Sequence, residues 1–138
     1  PDASVDFDDV LDNLISHAAD LSSRMSELRI GRQGAVGLLE PRIATPLALV
    51  ITELIHNALE HGLEHEGTHL EVRVTRDEKT ITIHVADDGV GLPEDFAIAT
   101  SSNLGLQIVR TLTENELRGK LVLISDEKET RAELTFPL

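Results

Sequence analysis

Three polar residues, Glu53, Asn57 and His61, recur at intervals of four within an otherwise apolar stretch of the chain. An interval of four is close to one turn of an α-helix, so their side chains share one helical face. A helix this apolar should be buried for most of its length. The shared face therefore carries polar chemistry inside a segment that belongs to the core.

A second candidate follows a strongly alternating segment that ends at Asp87. Asp87 and Asp88 lead into Gly89 and, two residues later, Gly91. A carboxylate at the end of a buried strand, followed by closely spaced glycines, suggests a ligand that approaches bare backbone. Taken alone, this segment fits an ordinary Asp-Gly turn equally well.

A third candidate is the start of a helix near Leu104, where Gly105 lies in the first turn. The preceding residues 101–103, Ser-Ser-Asn, supply good N-caps. The N-terminal amides of a helix bind phosphate at the positive end of its dipole without a lysine. This matters because no Lys or Arg occurs between Lys79 and Arg110.

The helix that carries Glu53 and Asn57 is predicted over Thr45–Gly62. Thr45 suits the N-cap, Pro46 the first helical position and Gly62 the C-terminal end. An earlier helix is predicted over Asp8–Leu21, and a strand interrupted by a turn over Leu28–Leu39. Alternating segments predict two antiparallel hairpins: Leu70–Thr75 with Thr80–Ala86, and Lys120–Ser125 with Arg131–Phe136.

This order of elements predicts one α/β domain over all 138 residues. We expect a two-layer sandwich, in which helices cover one face of a mixed, largely antiparallel sheet. The segment from Leu92 to Asn103 is irregular, and we expect a mobile flap there.

The amino-acid composition argues against several classes of function. A net charge of -13 argues against general binding to nucleic acid or to an anionic membrane. The absence of cysteine excludes a disulfide framework and a thiolate metal site. We see no signal peptide and no uninterrupted apolar run of about 20 residues, so we expect a cytoplasmic domain without direct membrane contact.

Taken together, the segments ELIHNALEHG, DDGVGLP and SSNLGLQIVRTL resemble the N, G1 and G2 boxes of the GHKL superfamily of ATPases and kinases. That superfamily includes histidine kinases, DNA gyrase, heat-shock chaperones and mismatch-repair proteins. The resemblance covers roughly Thr45 to Pro137 and looks strongest to the catalytic domains of bacterial sensor histidine kinases. It implies a Bergerat-type ATP-binding fold with ATP and Mg2+ as cofactors.

The resemblance also implies roles for individual residues. Asn57 matches the position that holds magnesium, and Glu53 matches a general base or a holder of a magnesium-bound water. Asp87 matches the aspartate that accepts a hydrogen bond from the adenine amino group and so selects adenine over guanine. The other implied nucleotide-binding positions are His61, Gly89, Gly91, Leu104, Gly105, Leu106 and Thr130.

The sequence departs from the family pattern at three places. Ser102 and Asn103 fill the region where the G2 box commonly begins with glycine, which suggests a shorter lid. Glu60 stands where many histidine kinases have a phosphate-facing lysine. Glu129 replaces the glycine that usually precedes the threonine matched by Thr130, which weakens that match.

We therefore expect a catalytic domain that transfers the ATP γ-phosphate to a histidine on a separate helical phosphoacceptor segment, with a downstream response regulator as partner. His17 is a poor acceptor candidate, because it lacks the acidic residue that usually precedes a phosphoacceptor histidine. The alternatives are an anti-sigma-factor serine kinase of related fold and a non-catalytic ATP-binding interaction module.

Overall fold

The computed structural model describes residues 3–21, 29–62, 69–89 and 104–138. Its three α-helices are α1 (Phe7–Leu21), α2 (Pro41–Asn57) and α3 (Leu104–Asn115), and α2 continues into a π-helical turn, Ala58–Gly62. The strands are β1 (Val5–Asp6), β2 (Arg29–Gln33), β3 (Leu38–Leu39), β4 (His69–Arg76), β5 (Thr80–Asp87), β6 (Lys120–Ser125) and β7 (Thr130–Pro137).

The main sheet has five strands in the order β2-β4-β5-β7-β6. Its β2–β4 pair is parallel and its other pairs are antiparallel. Both predicted hairpins are present, so the expected mixed, largely antiparallel sheet is confirmed. A short ribbon of β1 and β3, with Val5 opposite Leu39, was not predicted from the sequence.

The core lies between this sheet and the three helices. Alternate residues of the central strands face the helices, because side chains along a strand point to opposite faces in turn. The central strands and α2 contribute fully buried side chains, among them Leu47, Val50, Ile51, Leu70, Val72, Ile81, Ile83 and Leu134. The two-layer α/β sandwich is therefore confirmed.

The predicted start of α2 was wrong. The helix begins at Pro41, with Glu40 as the N-cap, and Pro46 lies inside it as a buried residue. Pro41 satisfies the preference for proline in the first turn. Pro46 has no N–H to donate within the helix, and its ring is buried. The predicted end at Gly62 coincides with the last residue of the π-helical turn.

One helical segment, Pro41–Glu60, is long and apolar enough to cross a membrane by length and composition, and half of it is buried inside the fold. It is the central helix of the core, packed against both α1 and α3. Burial within the domain accounts for its hydropathy.

The first third of the chain is tied to the sheet by Asp8 at the start of α1. Its carboxylate accepts hydrogen bonds from the backbone N–H groups of Val36 and Gly37, at 2.9 Å each, and pairs with Arg32 at 2.8 Å. Burial raises the pKa of Asp8, but these hydrogen bonds and the Arg32 charge outweigh it, so the pKa is lowered. Asp8 thus holds α1 against β2 and the following turn.

Candidate nucleotide-binding site

Glu53 and Asn57 lie one turn apart on α2, and both are half-buried. Their neighbours Leu54 and Ile55 are buried in the core, whereas His56 is exposed. The two polar side chains therefore stand at the border between core and solvent, as the predicted polar face requires. His61 lies in the π-helical turn, and its side chain is outside the described part.

The π-helical turn directly follows Asn57 and contacts β5, the strand that ends in Asp87. A π-helical turn is rare and is frequently found at functional sites. Here it joins the end of the polar helix face to the strand that carries the second candidate residue.

Glu60, which replaces the lysine of many histidine kinases, points to solvent. Its Oε1 lies 3.2 Å from Nε2 of His56, and each of these side chains is 55% exposed. The exposed His56–Glu60 pair occupies the solvent side of α2, whereas Glu53 and Asn57 are half-buried.

Asp87 is the last residue of β5, and its side chain follows the alternation that directs Ile81, Ile83 and Val85 toward the helices. It is only 6% exposed. Its Oδ1 accepts the N–H of Gly89 at 2.9 Å. Burial raises its pKa, and the nearby charges of Asp88 and Glu129 add to this, while the Gly89 hydrogen bond opposes it.

Thr130 is directly opposite Asp87 in the β5–β7 register. Its hydroxyl lies 3.1 Å from Oγ of Ser125, the residue opposite it on β6. The replacement of the preceding glycine by Glu129 weakened the match of Thr130 to the family. The register nevertheless places Thr130 next to Asp87, which supports that match.

Asp88 closes the β4–β5 pair beyond Asp87. It accepts the backbone N–H of His69 through Oδ1 at 2.9 Å, and its own N–H donates to the His69 carbonyl at 3.3 Å. The Asp87 backbone is thus enclosed between β4 and β7.

The third segment begins α3 at Leu104, as predicted, so Leu104, Gly105 and Leu106 form its first turn. Leu104 is 72% exposed, Gly105 is half-buried and Leu106 is buried. α3 packs along α2. The first N–H groups of an α-helix have no acceptor within the helix, so this end is suited to an anion. Gly91, Ser102, Asn103 and the expected flap from Leu92 to Asn103 lie outside the described residues.

The oxygen donors fit magnesium. This ion prefers hard oxygen ligands and keeps much of its coordination for water and phosphate. Asn57 offers an amide and Glu53 a carboxylate on the same half-buried face of α2. A site with one or two protein ligands is the arrangement that magnesium adopts with nucleotides.

A charged cluster that was not predicted from the sequence lies on the other face of the sheet, called here the helix-free face because none of the described helices packs on it. Arg73 of β4 pairs with Glu129 at 2.6 Å and with Glu71 at 3.6 Å. These residues line a cleft of about 340 Å³ whose rim reaches Asp87. The alternation in β4 indicates that Arg73 is partly exposed, but only the strand order shows that Arg73 reaches Glu129.

Comparison with known proteins agrees with the motifs. Residues 43–138 match the family described as histidine kinase-, DNA gyrase B- and HSP90-like ATPases. Sensor histidine kinase PdtaS of Mycobacterium tuberculosis is 42% identical over 123 residues, which are 87% of this chain and 24% of that protein. The anti-sigma F factor of Bacillus licheniformis is 29% identical over 77 residues, 54% of this chain and 53% of that protein.

A solved structure shows the same fold. The histidine kinase domain of the blue-light-activated kinase EL346 from Erythrobacter litoralis superimposes with a TM-score of 0.86, at 23% identity. The match covers 99% of this chain and 64% of that one. This chain spans about a quarter of the length of the PdtaS sensor kinases. Fold, motif order and sequence match agree: the chain belongs to the family of histidine kinase-, DNA gyrase B- and HSP90-like ATPases.

Proposed function

We propose that this chain is the catalytic domain of a sensor histidine kinase, which binds Mg-ATP and transfers the γ-phosphate to a histidine on a separate helical segment. The observation that carries the proposal is the buried Asp87 at the end of β5, with Thr130 opposite it. The 42% identity to a sensor histidine kinase over 87% of the chain supports it.

Each part of the nucleotide has a matching group. The Asp87 carboxylate accepts a hydrogen bond from the adenine 6-amino group, and Gly89 lets the backbone pass close to the base. Gly91 is proposed as a nucleotide-binding position from the sequence motif alone. The first turn of α3, Leu104 to Leu106, receives the phosphates through its N–H groups. His61, in the π-helical turn after Asn57, is a further proposed nucleotide-binding position.

Asn57 would hold Mg2+ through its side-chain oxygen, and the ion would neutralise phosphate charge. Glu53, one turn earlier, would accept the proton of the attacking imidazole or hold a water molecule next to the magnesium position. With these groups in place, transfer depends on alignment and charge neutralisation.

The acceptor histidine and the response regulator are supplied by other segments or proteins, on the cytoplasmic side where ATP is available. His17 is exposed on α1. We expect this chain to bind ATP but to label itself poorly with radioactive γ-phosphate. Acid-labile phosphate on His17, at the rate of an intact kinase, would contradict a separate acceptor.

A second candidate is an anti-sigma factor that phosphorylates a serine of its antagonist protein, which the match to anti-sigma F factor favours. The product distinguishes the two, because phosphohistidine is acid-labile and phosphoserine is acid-stable. Transfer of acid-stable phosphate to a serine of a partner protein would support this second candidate.

A further inference from the structure

Arg73 and Glu129 form an ion pair that crosses the helix-free face of the sheet. Two contacts join the groups, Nη2 to Oε2 at 2.6 Å and Nη1 to Oε1 at 3.4 Å. The side chains are 33% and 26% exposed, so the pair is partly shielded from water. A forked contact between arginine and carboxylate fixes direction as well as distance.

The pair links β4 to the start of β7 across β5. Arg73 lies opposite His84 of β5, and Glu129 immediately precedes Thr130, which lies opposite Asp87. The diagonal between the partners therefore crosses β5 near Ala86, a small and buried residue. The bridge passes directly behind the strand end that carries Asp87.

Glu129 is also held through its backbone. Oδ1 of Asp126 accepts the N–H groups of Lys128 and Glu129, and the Asp126 N–H donates to the Glu129 carbonyl at 2.9 Å. The β6–β7 turn is thus closed on itself, and Arg73 anchors it to β4. A shift of this turn would move Thr130 relative to Asp87.

The charges of Arg73 and Glu129 also affect the ionisation of Asp87. Glu129 stands where the family usually has glycine, and its charge adds to burial and to Asp88 in raising the pKa of Asp87. An acidic neighbour disfavours the ionised carboxylate, which is the stronger acceptor for an amino group. Arg73 supplies the opposite charge in direct contact with that neighbour.

We propose that Arg73 and Glu129 are positioning residues for adenine recognition: their ion pair holds Thr130 beside Asp87, and Arg73 offsets the charge of Glu129, the glutamate that replaces glycine. This inference rests on the nucleotide site proposed above. It adds two residues from the opposite face of the sheet to that site.

The test compares Mg-ATP with the Mg complex of purine riboside triphosphate, which lacks the 6-amino group, by calorimetry. The dissociation constant of the purine riboside triphosphate complex, divided by that of Mg-ATP, measures recognition of the amino group. Arg73→Gln should lower this ratio about fivefold, since it removes the closer arginine contact of Glu129, at 2.6 Å, and leaves only the contact with Arg131 at 3.5 Å. Glu129→Gln should lower it less, because the acidic charge is lost together with the bridge.

The matched control is Arg42→Gln, the same substitution at the exposed 2.6 Å pair of Arg42 with Glu40. Arg42 lies in the first turn of α2 and has no part in the Arg73–Glu129 bridge, so the ratio should stay within about twofold of wild type. The exchange Arg73→Glu with Glu129→Arg should restore part of the ratio, since the exchanged charges also face Glu71 and Arg131. Thermal melts check folding. If Arg73→Gln does not fold, Arg73→Lys replaces it; this variant keeps the charge but loses the forked contact, so the ratio should fall about threefold.

The outcomes separate the two proposals. A wild type that prefers ATP, with equal ratios in all folded variants, overturns the positioning role and leaves the nucleotide site intact. Folded exchange variants that discriminate no better than Arg73→Gln also overturn it. A wild type that binds no adenine nucleotide refutes the proposed function, and the positioning role falls with it.

Discussion

Replacing Asp87 by asparagine should stabilise the nucleotide-free domain at neutral pH. Asp87 is 6% exposed, and burial, followed by the charges of Asp88 and Glu129, raises its pKa. Asparagine has nearly the same shape and keeps an oxygen to accept the N–H of Gly89, but it carries no charge. The substitution therefore removes the cost of a buried carboxylate without opening a cavity.

The sign follows from proton linkage. The unfolded chain releases the proton near pH 3.9, and the folded chain releases it at a higher pH. Between these values the folded state binds more protons, so its stability falls as pH rises through the folded pKa. We expect Asp87→Asn to gain about 0.5 to 2 kcal/mol at pH 7, the usual size of a single stabilising substitution, and to gain less as the pH falls.

The assay is urea unfolding of wild type and Asp87→Asn at several pH values between 4 and 8, without nucleotide. The free energies of unfolding of the two proteins should converge toward acidic pH. In a parallel thermal scan at pH 7, the variant should melt about 2 to 8 °C higher than wild type. A variant that is less stable at pH 7, or a difference that does not change with pH, would refute the reasoning about this carboxylate.

Three further predictions concern other parts of the molecule. Asn57→Ala should weaken Mg-ATP binding about tenfold or more and remove the difference between titrations with Mg2+ and with EDTA, as measured by calorimetry. Asp8→Asn should cost about 1 to 3 kcal/mol of unfolding free energy at pH 7. Because the pKa of Asp8 is lowered by folding, this cost should shrink as pH falls from about 4, which acid-range urea melts would detect. Gly34→Ala should destabilise the fold by about 2 kcal/mol or more. The reason is that Gly34 has φ 83°, and a Cβ there would lie 2.0 Å from the Val74 carbonyl oxygen. Unfolding in guanidinium chloride measures this loss of stability.

Elements with a strong local pattern could be predicted. The first helix was predicted over Asp8–Leu21 and lies at Phe7–Leu21, because its apolar spacing alone determines the buried face. The alternation in β4 and β5 likewise identified the hairpin and placed Asp87 at the end of a buried strand.

Competing local signals caused the error at α2. Thr45 followed by Pro46 has the pattern of a helix start, but Glu40 followed by Pro41 provides an earlier one. Packing of residues 43 and 44 against the core favours the longer helix, and this depends on tertiary contacts that the local pattern does not contain.

The pairings between segments far apart in the chain could not be predicted from the sequence pattern. The parallel pairing of β2 with β4 and the Arg73–Glu129 contact join residues far apart in the chain. Such contacts depend on strand order and register, which a single strand's alternation does not specify. The position of Thr130 opposite Asp87 likewise depends on strand order and register.

The central claim is that this domain recognises adenine through Asp87, and calorimetry with Mg-ATP tests it most directly. We predict saturable one-to-one binding by wild type, and an affinity about 10- to 150-fold lower for Asp87→Asn, the value of one hydrogen bond to a charged group. Wild-type protein that binds no Mg-ATP, or Asp87→Asn that binds it as tightly as wild type, would contradict the claim.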